Sequence, residues 1–179
     1  ACQLGFEIEE NTAAALAARA QSLNRVSAER TRDEMSLMLR GPRPAEAVRL
    51  LAQLGLLAPV LPEVERMRTY RGKSADSAER NPWKHTLKAL EALARYSPKR
   101  SFALSWAVLL HQVGKPLAAV QVEGKPIPQF EAEGARLALR IADRLRFARA
   151  DATQIVRMIE SQLKFKEVFQ MRDSTLERF

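Results

Sequence analysis

The sequence predicts an all-α protein, and three observations carry that expectation. Apolar residues recur at intervals of three and four, no segment alternates apolar and polar residues between turn signals, and helix-starting and helix-stopping residues separate the apolar runs. With 179 residues, 46% of them hydrophobic, the chain can build one medium domain, or a smaller one with a helical extension, around a buried core.

The elements follow in order. Asn11 or Thr12 is placed to cap a first helix through AAALAARA, and Ser27 to cap a second, with Glu29 in its first turn where a negative charge suits the helix dipole. Gly41 and Pro42 stop that second helix. Pro44 starts a third, with Ala47, Leu50, Leu51 and Leu54 as its apolar stripe and Gly55 as its end. LLAPVLPEV continues as a tight, mostly buried helical turn. Arg66 to Pro82 lacks apolar period and reads as an exposed loop. Helices resume at Trp83 to Arg95, with Trp83, Leu87, Leu90 and Ala94 on one face, and at Ser101 to Val113, which is apolar all round and so central. Pro116, Gly124, Pro126 and Pro128 make a loop. Phe130 to Phe147 is helical through Leu137, Ala138, Ile141 and Leu145, and Ala152 to Phe165 through Ile155, Ile159 and Leu163. A boundary at Gly41-Pro42 divides a two-helix lead-in, residues 1–41, from a larger bundle, residues 42–179.

Composition narrows the function. There are 29 lysines and arginines against 21 aspartates and glutamates, a net charge of +8, and the isoelectric point is 10.1. That balance favours a polyanionic partner such as RNA. At 6% aromatic residues, extended base-stacking platforms are poorly supplied. The longest apolar run, FALSWAVLL, is roughly half what a bilayer requires, so a membrane partner is not expected. The single cysteine, Cys2, cannot form an internal disulfide and points to a reducing, cytoplasmic setting. The oligomeric state is left open.

His85 and His111 are the only histidines. A lone histidine beside apolar neighbours is ordinarily a satisfied core residue, but these two open one helix (WKHTL) and close the most apolar one (LLHQVGKP). HQVGKP, with glutamine for aspartate, resembles the metal-binding motif of HD-type phosphohydrolases, which take one histidine from an early helix and a His-Asp pair from a later one.

A broader resemblance covers nearly the whole chain. LGFEIEENT, VSAERTRDEM, AVRLLAQLGLLAPVLPEV, WKHTLKALEAL, AVLLHQVGKP, EGARLALRIADRLRF and MRDSTLERF, in this order and spacing, resemble the C-terminal half of the bacterial tRNA nucleotidyltransferase and poly(A) polymerase family. The resemblance implies helical neck elements followed by an HD-like body, with Glu29 and Arg30 bracing the neck. In members with an intact HD-like region it implies five ligand positions. His85 and His111 match; Gln112 replaces the aspartate, Phe130 with Glu131 replaces His-Glu, and Gln162 replaces the terminal histidine. Two imidazoles and a neutral amide are a poor set for Mg²⁺ or Mn²⁺, so the expectation is a vestigial site without metal, with Phe130 filling its space.

Nucleotide addition in this family is implied to need paired carboxylates and two metals on a β-sheet head, with Mg²⁺ and a nucleoside triphosphate bound there. No such stretch occurs here, and the expectation is a neck-and-body fragment that is catalytically inert and positions RNA, most plainly tRNA. Arg136, Arg140 and Arg144 recur every four residues opposite Leu137, Ile141 and Leu145, a spacing that is often only a solvated face but also suits an RNA backbone. Lys164 and Lys166 extend it; Arg66, Arg68, Arg71 and Lys73, with Tyr70 placed to stack, form a second cluster. The rival reading is a phosphohydrolase using His85, His111 and Glu131 or Asp143 as an atypical metal set; a third is a scaffold for protein partners.

Overall fold

The computed structural model describes Cys2 and residues 5–70, 81–118 and 130–162. Among these residues every regular element is helical and no strand occurs. Helix α1 (Glu10–Ala18) is capped by neither Asn11 nor Thr12. The Glu9 carboxylate, with two oxygens, accepts from the N–H of Asn11 at 3.0 Å and of Thr12 at 2.9 Å, so the helix begins earlier than the usual capping residues suggest. These two bonds hold the Glu9 carboxyl below the usual carboxylate range. A 3-10 helix (Ala20–Arg25) leads to α2 (Ala28–Arg40), where Ser27 Oγ accepts from Arg30 N at 3.4 Å and Gly41 follows the last turn, as expected.

Helix α3 (Pro44–Gln53) starts at Pro44, and the expected stripe is part of its core face, with Ala47 buried and Leu51 packed against the core. Ala45, Val48 and Ala52 enter the core beside Ala47, while Leu50, Leu51 and Leu54 line an open groove with Leu37 and Met38 of α2. The helix is apolar on two sides, and spacing alone cannot choose between them. Gly55 sits at φ 68 and lets Leu56 N reach back to Leu51 O at 2.8 Å, closing the helix end.

Helix α4 (Leu57–Val60) is the expected buried turn, and α5 (Pro62–Thr69) carries helix into the stretch read as loop. Val64 and Met67, three residues apart and fully buried, anchor that extension, so Arg66 and Arg68 stand on a helix. Residues 71–80 lie outside the described residues. Helix α6 (Pro82–Tyr96) is capped by Asn81, whose Oδ1 accepts from Lys84 N at 3.1 Å, and buries Thr86, Leu87 and Leu90.

Helix α7 (Phe102–Leu110) is central, burying Ala103, Ser105, Trp106, Ala107, Leu109 and Leu110. Trp106 Nε1–H donates to Ser36 Oγ of α2 at 3.0 Å, and Ser36 passes its own proton to Arg32 O at 2.6 Å, so the buried indole is satisfied. Arg100, itself buried, donates from Nε to Leu39 O at 3.0 Å, from Nη1 to Ser97 O at 3.3 Å and from Nη2 to Gly41 O. A cation there answers the free carbonyls at the end of α2. These contacts, with Met35 and Leu39 in the common core, join residues on both sides of Gly41-Pro42.

The short α8 (Lys115–Ala118) precedes α9 (Phe130–Arg144) and α10 (Arg149–Ser161). The expected helix to Phe147 stops at Arg144, because Arg146 turns left-handed at φ 56 and Phe147 N reaches Ala142 O at 2.9 Å. Phe147 then packs edge-on against Trp106 with ring centroids 4.8 Å apart, a contact that offsets the strain of a non-glycine residue in that conformation. Leu137, Ala138, Ile141 and Leu145 of this hairpin are buried as expected, with Ile155 and Ile159; Leu163 lies outside the described residues.

Candidate functional site

Helices α6 and α7 bring the two histidines together. Their ring centroids are 5.1 Å apart with planes tilted by 51°. His111 stands at the end of α7 and its Nδ1–H donates to Val108 O at 2.7 Å; a carbonyl only accepts, so the proton belongs on Nδ1. Burial pushes the His111 pKa down to about 4, and the neighbouring charges of His85 and Lys115 act in the same direction, against the carbonyl contact. His111 is therefore neutral at physiological pH.

A neutral imidazole is the form that binds metal, but the donors around it do not complete a set. Gln112 is buried and its Oε1 has no hydrogen-bond partner among the described residues; the same holds for Glu131 Oε1. Asp143 is exposed on α9. Among the described residues no three His, Cys, Asp or Glu side chains are grouped so as to hold a metal ion. Two imidazoles and a neutral amide do not fit a hard divalent cation.

The remaining motif positions have backbone and packing contacts. Gln162 Nε2 donates to His111 O at 3.1 Å, tying the end of α10 to the end of α7. Phe130, half-buried, opens α9 with its ring 5.2 Å from Lys115 Nζ. Gly114 of HQVGKP has no room for a side chain: a Cβ there would lie 2.0 Å from Phe130 O and 2.6 Å from Gly134 N. The glycine is thus explained by the close approach of this turn to the start of α9.

The expected basic stripe is not uniform. Arg140 is exposed and makes no ion pair among the described residues. Arg136 is 73% exposed and pairs with Glu133 at 3.0 Å. Arg144 differs: its side chain is 39% exposed, but Nη1 donates to Val60 O at 2.8 Å and Nη2 to Glu63 Oε2 at 2.7 Å, so its guanidinium also fastens α9 to the α4–α5 junction. In the second cluster Arg68 is joined to Glu65, Arg66 is exposed and Tyr70 is half-buried. Arg71, Lys73, Lys164 and Lys166 lie outside the described residues. The apolar period that locates α6 says nothing of its outer face, where Lys84, Lys88, Arg95 and Tyr96 stand exposed; their spacing of four, seven and one is visible in the sequence once the helix is fixed.

Comparison with known proteins places these surfaces in context. Residues 5–68, from before α1 to the last turn of α5, match the family model described as "Probable RNA and SrmB- binding site of polymerase A". A Multifunctional CCA protein of Alkalilimnicola ehrlichii is 34% identical over 149 residues, 83% of this chain and 35% of that protein. Another, from Halorhodospira halophila, is 31% identical over 175 residues, 96% of this chain and 41% of that protein. An A-adding tRNA nucleotidyltransferase of Deinococcus radiodurans is 31% identical over 139 residues, 75% of this chain and 31% of that protein. The chain spans well under half the length of these curated relatives.

Proposed function

Because the chain belongs to the tRNA nucleotidyltransferase and poly(A) polymerase family, we propose that it binds and positions RNA, specifically tRNA, for 3′-end nucleotide addition performed elsewhere in a longer protein. The observation that carries this reading is the match of residues 5–68 to a segment described as RNA-binding. In the structure that segment is not an appendage: Met35, Leu39, Val48, Leu57, Val64 and Met67 lie in the common core with α7, α9 and α10, so RNA held there is held against the packed body.

In this proposal the chain alone is catalytically inert, and Mg²⁺ and the nucleoside triphosphate are bound by a separate catalytic head. The HD-like centre is a vestige. What supports this is its donor set, two histidines at 5.1 Å with Gln112 in the aspartate place and no third ligand side chain grouped with them among the described residues. The setting is the cytoplasm, where tRNA is processed; among the described residues no helix is long and apolar enough to cross a membrane.

The test is fluorescence anisotropy of labelled tRNA titrated with the chain at low and near-physiological salt, beside an unstructured RNA of equal length. Three phosphate contacts give a slope of log K against log salt of about −2.7, roughly a 40-fold loss of affinity between 50 and 200 mM salt. Tighter binding of tRNA with such a slope is expected, and Arg140→Glu should reduce both affinity and slope. Equal or negligible binding of both RNAs would overturn the proposal.

A further inference from the structure

The outer face of α6 combines charge, spacing, an exposed aromatic ring and a rigid support. Lys84, Lys88, Glu91 and Arg95 are separated by four, three and four residues, which puts all four on one side of a helix. The only acid among them is occupied: Glu91 Oε1 accepts from Arg49 Nη2 of α3 at 3.2 Å. Three cations are left along about 16 Å of helix, at 1.5 Å per residue. Beside the last of them Tyr96 is 76% exposed, the most exposed of the large hydrophobic side chains in the structure's described residues, with Arg95 Cζ 5.4 Å from its ring centroid.

A tyrosine ring so exposed is usually mobile with its surroundings, but here the surroundings are fixed. Ser97 N bonds Leu93 O at 2.9 Å to close α6. Three residues on, Arg100 is clamped to Leu39 O, Ser97 O and Gly41 O. The turn that follows Tyr96 is thereby fastened to the end of α2, and Lys99, exposed in that turn, is held beside it. The result is a row of cations leading to an aromatic face on a preorganised platform.

From this juxtaposition we propose that the outer face of α6 is an RNA contact surface, in which Lys84, Lys88 and Arg95 follow the phosphate backbone of a duplex and Tyr96 stacks on an unpaired nucleotide adjoining it. The inference rests on the RNA-binding reading above and extends it, since α6 lies outside residues 5–68. RNA is favoured over an acidic protein by the chain's net charge of +8 and by the match of residues 5–68 to a model described as an RNA-binding site; a backbone ending in an unstacked base then uses the cations and the ring together. The ring accepts any base, so the surface reads duplex end and single strand rather than sequence.

The experiment uses the full chain and two labelled RNAs, a hairpin with a short single-stranded 3′ overhang and the same hairpin blunt-ended, titrated by anisotropy over a salt series. Circular dichroism checks that each variant is folded. Lys84→Gln with Lys88→Gln should lower the salt slope by about two for both RNAs, one for each contact removed. Tyr96→Ala should weaken binding of the overhang RNA about fivefold or more and leave the blunt hairpin unchanged, while Tyr96→Phe keeps wild-type affinity because the stacking face survives. An unchanged slope in the double lysine variant overturns the proposal, as does a Tyr96→Ala effect that is absent or equal on the two RNAs. A loss confined to the lysine variant would mean a general polyanion face, such as one for an acidic protein. Should the wild-type chain bind neither RNA, the RNA-binding reading fails with it; binding that Arg140→Glu weakens and the α6 variants do not removes this inference alone.

Discussion

Replacing His111 by asparagine tests the neutral state of that residue through the pH dependence of stability. In the folded chain burial lowers its pKa from 6.5 to about 4. The unfolded chain takes up the proton near 6.5 and the folded chain only near 4, so in that window the unfolded state binds more protons and stability falls as pH falls. Each pH unit in the window costs about 1.4 kcal/mol, giving about 2 kcal/mol lost between pH 7.5 and 5 and about 3 kcal/mol by pH 4. A cation at a helix end is ordinarily favoured by about 0.3–1 kcal/mol; here desolvation is the larger effect. Asparagine does not titrate and keeps an amide that can donate to Val108 O. Urea unfolding followed by circular dichroism at pH 7.5, 6.5, 5.5 and 5.0, on both chains, cancels the carboxylates common to them. The wild type should lose about 2 kcal/mol more than His111→Asn by pH 5, or about 4–8 °C in Tm for a chain of this size. Parallel pH profiles would refute the argument, since they would mean that His111 is protonated as readily folded as unfolded.

Three other substitutions separate the fold's contacts from the proposed RNA surface. Gly114→Ala places a Cβ 2.0 Å from Phe130 O and 2.6 Å from Gly134 N, both backbone atoms that cannot rotate away. A loss of more than about 2 kcal/mol is expected in urea unfolding, and a loss under about 0.5 kcal/mol would show that the turn and α9 do not meet this closely. Arg144→Gln removes the bonds to Val60 O and Glu63 and should lower stability by about 1–2 kcal/mol. Arg140→Gln should leave stability within about 0.5 kcal/mol, and equal effects of the two would contradict the division of the arginine row.

Where sequence and structure agree, one physical signal dominates locally. Ser27, Pro44 and Ser101 start helices as expected because each supplies or forgoes a bond at the helix end without help from elsewhere. The central place of α7 was legible because a helix apolar all round has nowhere else to go. Disagreements arise where the deciding partner is remote in the chain. Leu50, Leu51 and Leu54 have a valid helical spacing, and only the position of α2 and the body decides that Ala45, Val48 and Ala52 are buried more deeply than they are. Arg144 looks like its neighbours Arg136 and Arg140 by spacing, yet its acceptors lie 84 and 81 residues away. The end of α9 carries no glycine to announce it; Arg146 is held left-handed by the packing of Phe147, and Arg32 Nη1 donates to Arg146 O at 2.6 Å. The meeting of His85 and His111 was readable from two lone histidines on consecutive helices, but the burial of Gln112 and Glu131 beside other core residues was not.

In the proposed reading of HQVGKP as a vestigial HD-like centre, backbone and packing contacts take the place of coordination. A metal site holds helix ends together through its ligands, and here other contacts join the same ends. Gln162 links α10 to α7 through the His111 carbonyl. The backbone approach at Gly114 seats the turn on the start of α9, and Gly134 in turn lets Ile159 of α10 come within 3.4 Å of where a Cβ would stand. Two polar atoms stand out in this region: Gln112 Oε1 and Glu131 Oε1 are buried and without hydrogen-bond partners among the described residues. A buried polar atom left without any partner costs about 1–3 kcal/mol, and the same core holds Leu109, Leu110, Ile141, Ile155 and Ile159, all fully buried. On the proposed reading this region is held by packing and backbone contacts rather than by coordination, and the outer face of α6 is the surface proposed for a partner.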